Sequence, residues 1–131
     1  MRAIPVGVIG TFAKTAAQPD LASQLDPSLA SVLSTPTMIG MMELAAIDAI
    51  TTYLEPGESS VGMGIEIQHL AATPPGHQVR AEAELTKIEG RRLEFSVRAF
   101  DETEQIGKGV HRRAVVDASK FNDRLKAKVK S

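Results

Sequence analysis

The hydrophobic period of this chain changes partway along, and that change limits the fold more than any other feature. The run "TMIGMMELAAIDAITTYL" is apolar around most of a helical circumference, with its polar Asp48, Thr51 and Thr52 at neighbouring helical spacings. In "SVGMGIEIQHL" the period becomes two: Val61, Met63, Ile65 and Ile67 share one face, Gly62, Gly64, Glu66 and Gln68 the other, and His69 ends the apolar side. "HQVRAEAELTKI" and "RLEFSVRAF" alternate likewise, joined by the tight-turn signal "EGR". A last strand, "IGKGVHRRAVVD", sets Ile106, Val110, Ala114 and Val116 on one parity, opposite Gly107, Gly109, His111 and Arg113, a polar parity that reads as outward.

The elements around this core follow from breaker residues. Thr35 and Pro36 mark the helix start, threonine as a cap and proline as an early helical residue, and "EPGESS" stops the helix. "MRAIPVGVIGTFAKT" is broken by Pro5, Gly7 and Gly10, too short for a leader or membrane span, and reads as a strand. "QPDLASQLDPSLASVLS" suggests a lid or plain connection with one or two helical turns, and "FNDRLKAKVKS" a frayed tail or short terminal helix. One buried helix, an N-terminal strand and four antiparallel strands predict an α+β domain whose sheet wraps around a central helix, spanning 1–131 as a single unit.

Composition excludes several functions. A formal net charge of -1 with mixed signs argues against nucleic acid as a partner. The absence of cysteine removes disulfides, thiolate metal sites and a cysteine nucleophile, and suits a cytoplasmic protein. Three scattered histidines lack the HExxH spacing of a zinc site, so no metal is expected. "GMG" and "GKG" are not phosphate loops, and GxSxG is missing.

What remains is a carboxylate in an apolar setting. The helical neighbours of Glu43 are Ile39, Gly40, Ala46, Ile47 and Ile50, so this glutamate needs an ion-pair partner, water, or a working role. His69 lies on the strand face that meets the helix; it is either a structural group or a catalytic one. Thr35 sits where helix N–H groups stabilise an oxyanion, whether or not it also caps the helix. Thr35 and Glu43 are separated by ~12 Å of helical rise, so they act on different parts of a substrate, lie across a bend, or meet through two subunits. His77 and His111 read as surface residues.

"TPTMIGMMELAAIDAI", "VGMGIEIQHLAATPPG", "EGRRLEFSVRAFDE" and "IGKGVHRRAVVDASKF" together resemble the hot-dog-fold thioesterases, and within them the fluoroacetyl-CoA thioesterase-like group. The resemblance implies a hot-dog fold and a homodimer with acyl-CoA at the subunit interface. It implies catalytic Thr35, Glu43 and His69, with Gly62 and Arg113 binding substrate. Glu43 would be the nucleophile or general base, His69 would assist proton transfer, and no cofactor is needed because coenzyme A is part of the substrate. Arg113 lies on the outward-reading parity, so a bulge or the dimer interface must bring it to the site. One departure stands out: "DPSLASVLS" has no aromatic residue where the fluoroacetyl-CoA enzyme carries an aromatic gate, and Leu29 or Leu33 takes that region. The acyl specificity is therefore open. The rival readings are a hot-dog dehydratase, whose usual Asp/His pair is not visible, a non-catalytic acyl-CoA-binding protein, and a purely structural dimer.

Overall fold

The apolar run forms helix α1, Thr35–Ile50, in a computed structural model that describes residues 1–130. Its cap is Ser34 and not Thr35: the Ser34 hydroxyl accepts the Thr37 backbone N–H at 3.2 Å, and Thr35 is the first helical residue. The expected capping role of Thr35 is thus corrected by one position, which leaves its hydroxyl free for another partner.

Five strands pack on α1: β1 (Ile9–Thr15), β2 (Glu58–His69), β3 (Gln78–Glu89), β4 (Arg92–Phe100) and β5 (Gln105–Asp117). They form one antiparallel sheet in the order β1-β3-β4-β5-β2, curled around the helix, with β1 and β2 at its edges. This is the hot-dog arrangement. The inward faces of β3 and β4 are those the alternation predicts, Val79, Ala81, Ala83 and Leu85 beside Leu93, Phe95 and Val97, all buried, and Ala99 continues the β4 face. Met38, Met42 and Ile50 of α1 are fully buried with them in one core cluster, each such side chain contributing roughly 1.5–3 kcal/mol. β1 crosses α1 so closely that a Cβ on Gly10 would lie 2.1 Å from the Ala45 carbonyl oxygen.

Two strands depart from their sequence reading, and both departures shape the site. In β5 Ile106 is buried as its parity predicts, but from Gly107 onward the inward parity is the one holding Gly107, His111, Arg113 and Val115, the reverse of the expectation. Hydrophobicity misleads here because glycine is a space-maker: a Cβ on Gly107 would sit 2.6 Å from Met38 Sδ, so the helix fills the room its absent side chain leaves. His111 and Arg113, read as outward, are 2 % and 5 % exposed.

In β2 the pairing with β5 slips between Gly62 and Gly64, leaving Met63 as the extra residue of a bulge, 59 % exposed. One inserted residue reverses the parity of everything before it. Gly62 pairs with inward Arg113, and Ile65 with inward His111, so Gly62 joins the helix-facing side together with Ile65, Ile67 and His69.

The segment before α1 contains short 3-10 turns at Gln18–Asp20 and Ala22–Gln24, and it is tied to the helix cap. Asp20 receives Lys14 Nζ at 2.7 Å and the Ala17 N–H at 2.9 Å, while its carbonyl accepts the Ser34 N–H. The C-terminal residues form helix α2, Ala118–Lys130, with Ser131 outside the described residues. No described helix is long and apolar enough to cross a membrane.

Candidate active site

The residues singled out in the sequence fall into two clusters. The first joins the start of α1 to the end of β2: Thr35 Oγ1 lies 2.7 Å from His69 Nδ1. The other ring nitrogen, His69 Nε2, is shielded from solvent and has no hydrogen-bond partner among the described residues. An open groove of about 420 Å³ surrounds this pair, lined mainly by Ala22, Val32, Leu33, Leu70, Ala71 and Ala72. Its small apolar walls suit a short acyl chain better than a charged ligand.

The second cluster is built around Arg113. Its Nη1 donates to Glu43 Oε2 at 3.0 Å and approaches His111 Nε2 at 3.2 Å. Its Nε and Nη2 donate to the Ser60 hydroxyl and carbonyl at 3.0 and 3.1 Å. Every guanidinium nitrogen is engaged, so the side chain is held in a single pose. Burial pulls the Arg113 pKa below its ordinary value and the Glu43 carboxylate opposes that pull; an arginine remains a cation throughout.

His111 completes the cluster. Its Nδ1 stands 2.9 Å from the Gly64 carbonyl, and its ring stacks on Phe95 with centroids 6.3 Å apart. Burial pushes its pKa below 6.5; the Gly64 carbonyl opposes this, Arg113 reinforces it, and Glu43 opposes it. His111 is therefore a neutral ring at neutral pH.

Glu43 is the solvent-facing member of this second cluster. Its side chain is 40 % exposed, one oxygen held by Arg113 and the other side open to a groove of about 460 Å³ between Phe12, Gly40, Leu44 and Ile47. A Cβ at Gly62 would meet Glu43 Oε2 at 2.7 Å, so only glycine leaves room beside the carboxylate. A larger depression of about 510 Å³ on the outer sheet face, among Glu66, Arg98 and Lys108, contains none of these groups.

All five sequence-predicted residues therefore lie near a groove or a partner, but not in one place. Thr35 and His69 meet each other; Glu43, Gly62 and Arg113 meet each other; no hydrogen bond joins the two sets. His111 and Ser60 were missed. The signal that could have found His111 is the alternating glycine of "GKGVHRR", which leaves room for the helix on the parity that His111 shares. His77, expected at the surface, is half-buried, its Nδ1 4.0 Å from Asp101.

Comparison with known proteins adds the chemistry. The profile of a family described as fluoroacetyl-CoA-specific thioesterase matches residues 17–119. The fluoroacetyl-CoA thioesterase of Streptantibioticus cattleyicolor is 48% identical over 97 residues, covering 74% of this chain and 70% of that protein. A crystal structure of a single-residue mutant of the fluoroacetyl-CoA-specific thioesterase FlK superposes with a TM-score of 0.91 at 39% identity, over 98% of this chain and 99% of that one. The same mutant in complex with fluoroacetate and CoA gives a TM-score of 0.83 at 41% identity, over 89% and 98%.

Proposed function

We infer the division of labour in this site from one premise: the chain belongs to the fluoroacetyl-CoA-specific thioesterase family and hydrolyses acyl-CoA thioesters. Glu43 is the reacting carboxylate, either attacking the thioester carbonyl or taking a proton from the water that does. His69, oriented by Thr35, passes a proton to the departing CoA sulfur. The backbone beside Gly62 and the Thr35 N–H at the start of α1 receive the oxyanion, the Thr37 and Met38 N–H groups being taken up by Ser34, and Arg113 holds Glu43 in place.

The observation that carries this reading is the division of the site into two clusters, ~12 Å apart along α1. A homodimer unites them. β2 is an edge strand, and its bulge turns Gly62 and His69 to the same face. Passing over Met63, the paired positions Gly62, Gly64 and Ile65 mirror His69, Gln68 and Ile67 about Glu66. Antiparallel pairing of two β2 edges across a twofold axis at Glu66 sets Gly62 opposite the partner's His69, with every cross-strand pair on a common face. The two Glu66 side chains on the outer face are each matched by their own Arg112, 3.2 Å away. Leu44, exposed in the Glu43 groove, and Met63, exposed on the β2 bulge, gain cover in such a pair.

Each of the two sites then combines Glu43, Gly62 and Arg113 of one protomer with Thr35 and His69 of the other. The substrate is a small acyl-CoA. No aromatic side chain stands between Asp26 and Ser34; Leu29 there is exposed and Leu33 belongs to the core, so selection for a fluorinated acyl group is not built in by a ring.

The test is thiol release from a panel of short, medium and aromatic acyl-CoAs, with wild type beside Glu43→Gln. Loss of turnover in a variant that remains folded and dimeric supports the assignment. Undiminished turnover removes Glu43 from the reaction, and CoA binding without turnover in the wild type returns the chain to the class of ligand-binding hot-dog proteins.

A further inference from the structure

We propose that His111 is a positioning residue for the reacting carboxylate: its ring, locked as the Nδ1–H tautomer by the Gly64 carbonyl, offers a bare Nε2 to Arg113 and so aims the guanidinium at Glu43. The inference rests on the reading of Glu43 given above and concerns a residue to which that reading assigns no task.

The proton inventory of the ring decides its role. A carbonyl oxygen only accepts, so the 2.9 Å contact with Gly64 requires the hydrogen on Nδ1. Guanidinium nitrogens only donate, so the 3.2 Å contact with Arg113 requires a lone pair on Nε2. One neutral tautomer satisfies both. The opposite tautomer sets lone pair against lone pair at Gly64 and hydrogen against hydrogen at Arg113, and the imidazolium sets two cations together in a buried site.

The groups around the ring agree. From β2 it meets the Gly64 carbonyl, from β4 the face of Phe95, from its own strand Arg113, and from α1 Glu43, whose Oε2 is 3.8 Å from Nε2. Arg113 Nη1 carries two N–H bonds, one directed at Glu43 and one at His111. With Nε and Nη2 fixed by Ser60, the ring supplies the last restraint, without which the guanidinium can turn away from the carboxylate. The nearness of Gly64 to the bulge links this restraint to the same irregularity that exposes Gly62 to Glu43.

Two substitutions separate the two nitrogens. The amide of His111→Asn reaches only the Nδ1 place and keeps the Gly64 contact, whereas the longer His111→Gln carries an acceptor to the Nε2 place. We expect kcat to fall about 10- to 100-fold in His111→Asn with KM nearly unchanged, and His111→Gln to recover most of that loss. Equal kcat losses in two variants of matched thermal stability would show that the ring only fills space, and would overturn the proposal. An independent readout is the ring nitrogen NMR spectrum of the wild type at neutral pH. A protonated Nδ1 with a bare Nε2 supports the proposal, and the reverse tautomer or an imidazolium overturns it. A wild type without thioesterase turnover overturns the reading of Glu43, and the ring spectrum tells that failure apart from a failure of the His111–Arg113 contact.

Discussion

Thr35 Oγ1 lies 2.7 Å from His69 Nδ1, joining the first residue of α1 to the last residue of β2. Because Ser34 caps the helix, the threonine hydroxyl is not consumed by backbone N–H groups. We expect Thr35→Val to cut kcat/KM about 10- to 100-fold, the loss of one hydrogen bond to a charged or reacting group, while the melting temperature stays close to wild type. Thr35→Ser should retain most activity. A melting temperature that collapses with Thr35→Val would show that the hydroxyl holds the helix after all.

A site shared between protomers predicts complementation. Thr35→Val and Glu43→Gln homodimers should each be nearly inactive. Unfolded, mixed and refolded together, they should regain about a quarter of wild-type activity, because half of the dimers are mixed and each of those has one intact site. Mixtures no more active than their components would place Thr35 and Glu43 of the same chain in one site.

Gly62→Ala tests the space beside the carboxylate. The added methyl meets Glu43 Oε2 at 2.7 Å, and Arg113 and His111 come next at 3.6 and 3.7 Å. The carboxylate is half-exposed and can swing away, so the expected result is a loss of kcat, about tenfold or more, with only a small loss of unfolding free energy. Steady-state kinetics beside urea titration will separate the two.

Gly10→Ala should behave in the opposite way. Here the methyl meets the backbone of α1 at 2.1 Å, where nothing can rotate aside. Loss of about 1–3 kcal/mol or more of stability is expected, read from the urea midpoint, or a failure to fold. A protein of wild-type stability would show that β1 does not lie on α1 as described.

The folded-state pKa of His111 is depressed, so the unfolded chain takes up a proton that the folded chain resists. Its contribution to stability is complete above pH 6.5 and is lost as the pH falls through the lower folded value. Asp20 and Asp101 are buried, which raises their pKa, but the hydrogen bonds from Lys14 and Ala17 to the first and from Thr103, Glu104 and Thr73 to the second outweigh this, so both sit below 3.8 and act in more acidic solution. Unfolding free energy measured between pH 7 and 5 should fall in wild type more steeply than in His111→Gln; parallel curves would count against a buried neutral ring.

Much of this was visible in the sequence. The change of period placed α1 and the strands, and the alternation of β3 and β4 named their buried faces correctly, because there the inward residues are apolar and the outward ones polar or charged. It failed where packing is done by something other than hydrophobic side chains. On β5 the inward parity is made of glycine, histidine and arginine, facing methionines and a glutamate from α1, so a rule that sends polar residues outward inverts the strand. On β2 a single extra residue breaks the alternation, and nothing in "SVGMGIEIQHL" shows which residue is extra until the partner strand is known. Glu43, Thr35 and His69 were legible as isolated oddities of position. Their grouping was not, since the contact between Glu43 and Arg113 spans 70 residues.

Assigning the cap to Ser34 and the histidine contact to Thr35 divides two duties between adjacent residues. Had one hydroxyl performed both, any change in the reacting group would also have loosened the helix that carries Glu43. As built, position 35 can exchange its side chain while the scaffold stays intact, so the reactivity of this fold can be retuned by substitutions that leave its stability nearly untouched.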